Sequence, residues 1–174
     1  DDASWQMEAS ARVDHALQMR DGVLPDRIHN FAHNNEWLTR NLSHAGRVGH
    51  ALTMAKNMIE LPRIPSVKDD GTWSVSTRSS HVYGKRHLYG LLQNYELWRE
   101  IIELKDTHYL RPGKSAADQA KWQRLVASAF FNTGNTAEGD ALLAKMNQLL
   151  AEQTAGTKKA GDAAEAKAKK EKKK

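Results

Sequence analysis

Ala129-Phe130-Phe131-Asn132-Thr133-Gly134-Asn135-Thr136-Ala137-Glu138-Gly139 is written as the junction between two helices. Before it, Trp122, Leu125, Val126, Ala129 and Phe130 recur at the three- and four-residue spacing of one helix face. After it, Ala141, Leu142, Met146, Leu149 and Leu150 do the same. Gly134 can take the left-handed backbone that reverses the chain after a helix. Gly139, five positions later, is small enough to let the two helices of a hairpin approach closely.

The same phrase stands twice more upstream. Ile28, Phe31, Leu38 and Leu42 lead into Gly46-Arg47-x-x-x-Ala51, after which Val48, Ala51, Leu52, Ala55 and Ile59 resume the stripe until Pro62 and Pro65 stop it. Val82, Tyr89 and Leu92 lead into Gln93-Asn94-x-x-x-Trp98, followed by Leu97, Trp98, Ile101, Ile102 and Leu104, with Pro112-Gly113 closing the unit. These spacings predict helices around Arg27–Ser43, Ser80–Leu92 and Ser115–Asn132, each turning into a second helix. A further helix is predicted over Ser4–Arg20, with Trp5, Ala9, Val13, Ala16 and Leu17 along one face. Asp21-Gly22 and Pro25 end it, and Asp26 is placed to cap the helix that follows. From Arg63 to Ser79 the text turns irregular around Asp69-Asp70-Gly71, and only Thr72–Ser76 alternates enough for a short ribbon. A loop of this length is usually functional or mobile.

The fold class that follows is all-α: a right-handed α-solenoid of about three helix-turn-helix hairpins plus one leading helix, over residues 1–153. Residues 154–174 read as a disordered or frayed helical tail rich in Ala and Lys. The charge supports that division. The 174-residue chain carries a net +5, but eight lysines against Asp162, Glu165 and Glu171 put all of it after Gln153. The other 153 residues hold 18 basic and 18 acidic side chains, so the body has no overall basic character to attract nucleic acid. The tail has no aromatics for stacking and almost nothing apolar beyond Ala for insertion, so nucleic acid and membrane surfaces are both disfavoured as its targets. No segment approaches the ~20 apolar residues of a membrane span. Without Cys there is neither a disulfide framework nor a thiol nucleophile. The chain opens at Asp1 with no initiator Met, which reads as a piece of a longer protein and leaves the compartment open.

Aligned on their turns, the three units resemble tetratricopeptide repeats. That family's pattern wants a large apolar residue near the end of the first helix, Gly at the turn and a small residue five later. Here these positions hold Leu42, Tyr89 and Phe130, then Gly46, Gln93 and Gly134, then Ala51, Trp98 and Gly139. Pro62 and Pro112 fall near a closing proline. The unit spacings of 47 and 41 residues exceed the family's repeat of about 34, and Trp98 and Gln93 depart from its pattern. The resemblance implies peptide or protein binding on a concave face lined by the first helices, and no catalytic residues.

No motif points to chemistry. His29, His33 and Glu36 share a helix, with His44 and His50 nearby, but Asn30 follows the first His, so this is not the HExxH arrangement, and no metal site is expected. Ser43 beside His44 lies in no nucleophile elbow, and Gly46-Arg47-Val48-Gly49 follows no strand and is not a phosphate loop. No cofactor is expected. Trp5, Trp98 and Trp122 lie on apolar stripes and are expected in the core, whereas Trp37 and Trp73 are candidate exposed anchors. The partner-binding candidates are the polar positions of the first helices, Asn34, Asn35, Arg40, Lys85, Arg86, Gln123 and Arg124, together with Trp73. The function these readings favour is a non-catalytic protein-interaction scaffold, the C-terminal helical-repeat portion of a larger protein. The alternative is an accessory helical domain of a multidomain enzyme, thioredoxin-like or hydrolase, whose catalytic domain lies upstream of Asp1.

Overall fold

The computed structural model describes residues 2–28, 30–63, 66–67, 73–74 and 78–171. Among these the protein is all-α. Its helices are α1 (Asp2–Asp21), α2 (Phe31–His44), α3 (Val48–Glu60), α4 (Ser80–Asn94), α5 (Trp98–Leu104), α6 (Ala116–Asn132) and α7 (Thr136–Glu171), with a 3-10 turn at Pro25–Arg27. The alternating text after Asp70 contributes a two-residue strand, β2 (Trp73–Ser74), paired antiparallel with β1 (Ser66–Val67). No described helix is long and apolar enough to cross a membrane. The helices pack α1 on α2, α2 on α3 and α4, α3 on α4, α5 on α6 and α6 on α7.

One turn is built three times. After α2, the N–H of Arg47 donates to the Leu42 carbonyl at 2.9 Å, with Gly46 between them at φ +74°. After α6, Asn135 donates to Phe130 at 2.9 Å over Gly134 at φ +84°. After α4, Leu97 donates to Leu92 at 3.0 Å. This six-residue bond over a left-handed residue is the Schellman ending of a helix. In the middle unit the left-handed residue is Glu96, at φ +52°, not Gln93, which lies inside α4. The middle turn falls three residues beyond Gln93, where no glycine marks the place. The corrected frame aligns Leu42, Leu92 and Phe130 before the turn, and Ala51, Ile101 and Gly139 five residues after it. All three of the latter are buried, so Trp98 does not occupy the close-contact position. At Gly139 the contact is the Phe131 ring, which would lie 2.7 Å from an added Cβ.

The tightest approach between hairpins is elsewhere. A Cβ on Gly84 of α4 would lie 2.7 Å from the Ala55 carbonyl and 2.9 Å from Met58 Cβ, both in α3. Glycine there lets α4 lie directly on α3 and closes a core in which Met58, Leu88, Leu92, Ile101 and Val126 have almost no exposed surface. Each such side chain contributes roughly 1.5–3 kcal/mol of burial free energy. The start of α4 is capped twice: Ser79 Oγ accepts from the Val82 N–H at 3.3 Å, and Asp26 Oδ1 accepts from the Ser80 N–H at 3.1 Å. Asp26 thus caps α4 across space, not the next helix in the chain, because α2 begins only at Phe31.

Helix α1 is rotated from its expected face. Trp5 and Val13 are 73% and 69% exposed, and Ala9 and Ala16 are exposed as well, while Leu17 alone of that face is half-buried. The side turned inward carries Ser4, Met7, Ala11, Asp14 and Gln18. A polar contact fixes this choice: Asp14 accepts from Asn34 Nδ2 at 2.7 Å. Trp98 and Trp122 are half-buried against the core as expected. Helix α7 continues through the Lys/Ala-rich segment to Glu171, with every described side chain from Leu150 onward exposed.

Three variants check this geometry by thermal melts. Gly84→Ala forces α4 away from α3 and costs about 1–3 kcal/mol, and an unchanged melting temperature would show that the helices do not meet there. At the turns, Gly134→Val lowers stability by about 1–3 kcal/mol. Glu96→Gly instead raises it by up to about 1 kcal/mol, since it relieves a left-handed non-glycine residue. No loss in Gly134→Val would misplace the last turn, and no gain in Glu96→Gly would misplace the middle one.

Candidate interaction face

The polar centre of the molecule is a carboxylate the sequence placed only in a rejected metal set. Glu36, on α2, is 6% exposed, at the seam where α4 packs on α2. Its Oε1 accepts from Arg40 Nη2 at 3.2 Å, one turn along the same helix, and from Arg86 Nη2 at 2.8 Å, on α4. His33 Nδ1 stands 3.6 Å from Oε2, and His87 Nε2 stands 3.5 Å from Oε1. A buried carboxylate costs several kcal/mol of desolvation unless it is paired, so the two guanidinium groups are what make its burial tolerable.

Each arginine also lies on an aromatic ring. The Arg40 guanidinium is 4.6 Å from the Trp37 ring centre, and that of Arg86 is 4.8 Å from Tyr83. Trp37 is held in turn, its Nε1 donating to His33 Nε2 at 2.8 Å. Both arginine side chains remain substantially exposed, 42% and 58%. The cluster therefore presents two oriented guanidinium groups to solvent over one enclosed carboxylate, an excess of positive charge held in fixed geometry.

His87 is half-buried, and at 3.5 Å its contact with Glu36 is electrostatic; Nε2 has no hydrogen-bond partner among the described residues. Burial holds its pKa below the usual imidazole value of 6.5, against the pull of Glu36. His81, near the start of α4, is also lowered by burial, and its Nδ1 lies 3.2 Å from the Ile59 carbonyl.

The sequence candidates divide in this setting. Arg40 and Arg86 converge on Glu36. Arg124, on α6, is exposed. Asn35 is not on the surface: it is 6% exposed and donates to the Phe31 carbonyl at 2.8 Å, because its helical position faces the core. Asn34 is engaged by Asp14 of α1. Lys85 donates to the His108 carbonyl. Gln123 is half-buried, with Oε1 lacking a partner among the described residues. The expectation for the Trp73 side chain, like that for His29, lies outside the described residues. Trp37, an expected anchor, is 39% exposed.

The Glu36–Arg40 and His33–Glu36 spacings were legible as neighbours on one helix. The arrival of Arg86, His87 and Tyr83 depends on how α4 crosses α2, which no local pattern records. Ser43, beside His44, is tied to Tyr95, whose hydroxyl donates to the Ser43 carbonyl at 2.7 Å. Among the described residues no three His, Asp or Glu side chains are arranged to hold a metal ion. No family model matches the chain, and neither the curated proteins nor the solved structures give a match.

The histidines give this face a pH dependence of defined sign. The folded state favours neutral His87 and His81, so the unfolded chain takes up their protons first as pH falls below about 6.5. Stability is fully present above that value and declines below it. Melting temperature falls between about pH 7.5 and about pH 5, and the fall shrinks in His87→Gln. A flat profile, or an identical one in the variant, would remove His87 from the linkage.

Proposed function

We propose that this chain is a non-catalytic protein-interaction scaffold, a right-handed solenoid of tetratricopeptide-like hairpins whose first helices, α2, α4 and α6, line the binding face. The observation that carries the reading is the pair of arginines at Glu36, oriented by a buried carboxylate and aromatic rings yet open to solvent. Side chains fixed in this way lose little entropy on binding, which favours recognition of a carboxylate-bearing partner. The repeated Schellman turn, with a buried residue five positions on, supports the hairpin-repeat part of the proposal. An interacting protein or peptide is the class of partner that fits; the Lys-rich end of α7 adds charge but neither aromatic nor large apolar groups for nucleic acid or membrane.

The test is co-purification of partners with the triple variant Arg40→Gln, Arg86→Gln and Arg124→Gln. Glutamine is used, and Glu36→Gln is added, because an enclosed Glu36 carboxylate facing glutamates, or stripped of both guanidinium groups, would unfold the protein. With helicity unchanged, recovery of partners falls by at least about tenfold, since losing even one charge-assisted bond costs about 1.5–3 kcal/mol. Recovery at the wild-type level would remove this face as the binding surface.

A further inference from the structure

Beside the arginine pair, a groove runs between α4, the segment 105–113 and the first turns of α6. It consists of two adjoining hollows of ≈ 530 and ≈ 390 Å³ that share Val82, Lys85, Arg111 and Asp118. Four of its lining side chains are cationic: Lys85, Arg86, Arg111 and Lys121. One described lining residue, Asp118, is a carboxylate, and it is already occupied, accepting from Ser115 Oγ at 2.7 Å. Arg86 is matched by Glu36. Lys85, Arg111 and Lys121 have no carboxylate partner among the described residues. The Lys85 ammonium is half-buried and donates to a backbone carbonyl, that of His108.

We propose that this groove is a docking site for an acidic peptide segment, whose carboxylates are held by Lys85, Arg111 and Lys121. The inference rests on the interaction reading above and names the partner's chemistry at a neighbouring surface. Charge complementarity carries it: three cations share one concavity in a body whose charges otherwise balance, so an entering anion meets attraction with almost no opposing carboxylate. Lys85 shows the strain of this arrangement, since burial, reinforced by Arg63 and Arg111, lowers its pKa. An anion in the groove relieves that cost.

The alternative polyanion, a single-stranded nucleic acid, needs aromatic faces on which bases stack. The two tyrosine rings of the lining are engaged, and Trp122, also in the lining, is half-buried with its Nε1 donating to the Lys105 carbonyl at 3.3 Å. Lys121 Nζ sits 4.4 Å from the centre of the Tyr89 ring, and Lys56 Nζ sits 5.5 Å from that of Tyr109. The Tyr89 hydroxyl is committed to the Lys121 carbonyl, and burial pushes its pKa up to about 12, so it donates and does not add negative charge. An extended acidic chain needs cations and backbone contacts but no ring, and the groove supplies the cations directly.

The test is a fluorescence-anisotropy titration of the full chain with a labelled Glu/Asp-rich peptide, its Gln/Asn counterpart and a single-stranded oligothymidine. The acidic peptide binds, the amide counterpart does not, and Lys85→Gln with Arg111→Gln weakens binding by about tenfold or more. Because the lysines after Gln153 are the same in both proteins, binding through the tail would show as equal affinities and would overturn the proposal. Oligothymidine binding with the same dependence on Lys85 and Arg111 would overturn it in favour of nucleic acid. Circular dichroism checks the fold, and Arg111→Gln alone, an exposed position, serves if the double variant unfolds. If these substitutions change nothing while the Arg40, Arg86 and Arg124 variant still loses partners, the groove proposal fails and the interaction reading stands. If both sets are silent, both fall.

Discussion

The α3 backbone occupies the place where a side chain on Gly84 would be. That one omission sets the spacing between the first two hairpins. It lets α4 settle on α3 and reach α2, which brings Arg86 and His87 to a carboxylate fifty residues earlier in the chain. Packing and electrostatics are coupled here: Glu36 is tolerable in its buried position only because α4 supplies a second guanidinium group, and α4 supplies it only because nothing at position 84 holds it off. The two caps at the head of α4, from Ser79 and from Asp26 of the preceding turn, fix the same helix along its axis.

Much of this helical framework was readable as periodicity. Stripes at three- and four-residue spacing marked the helices, and the glycines at 46 and 134 marked two turns correctly. The third turn was missed by three residues because Glu96, not a glycine, takes the left-handed conformation, forced by the same Leu97-to-Leu92 bond that glycine makes easy in the other units. The face of α1 was misread because apolar count favoured the Trp5–Val13 side, whereas a single bond between Asp14 and Asn34 and the packing of Met7 favour the other. A hydrophobic stripe reports which face can be buried, and tertiary partners decide which face is.

The site was legible only in part. Arg40 and Arg86 were selected as polar residues off the apolar stripe, which found them but also swept in Asn35, whose side chain serves the backbone of its own helix. The organising residue, Glu36, carries no local sign of its burial. Composition was misleading in a different way. A body with equal numbers of acids and bases looked electrically featureless, yet its cations gather along α4 and the start of α6 while several carboxylates are consumed by neighbours such as Arg12, Arg20 and His108. Placement, not number, gives the surface its character.

If the Gly84 approach and the Glu36 network are one unit, their disruptions cannot add. A double-mutant cycle by chemical denaturation, with Gly84→Ala, Glu36→Gln and the combination, measures this directly. The expected result is a double variant that loses less than the sum of the two, by about 1 kcal/mol or more, because displacing α4 already withdraws Arg86 and His87 from position 36. Additivity within about 0.5 kcal/mol would show two independent sites and contradict the dependence of the arginine pair on the helix crossing.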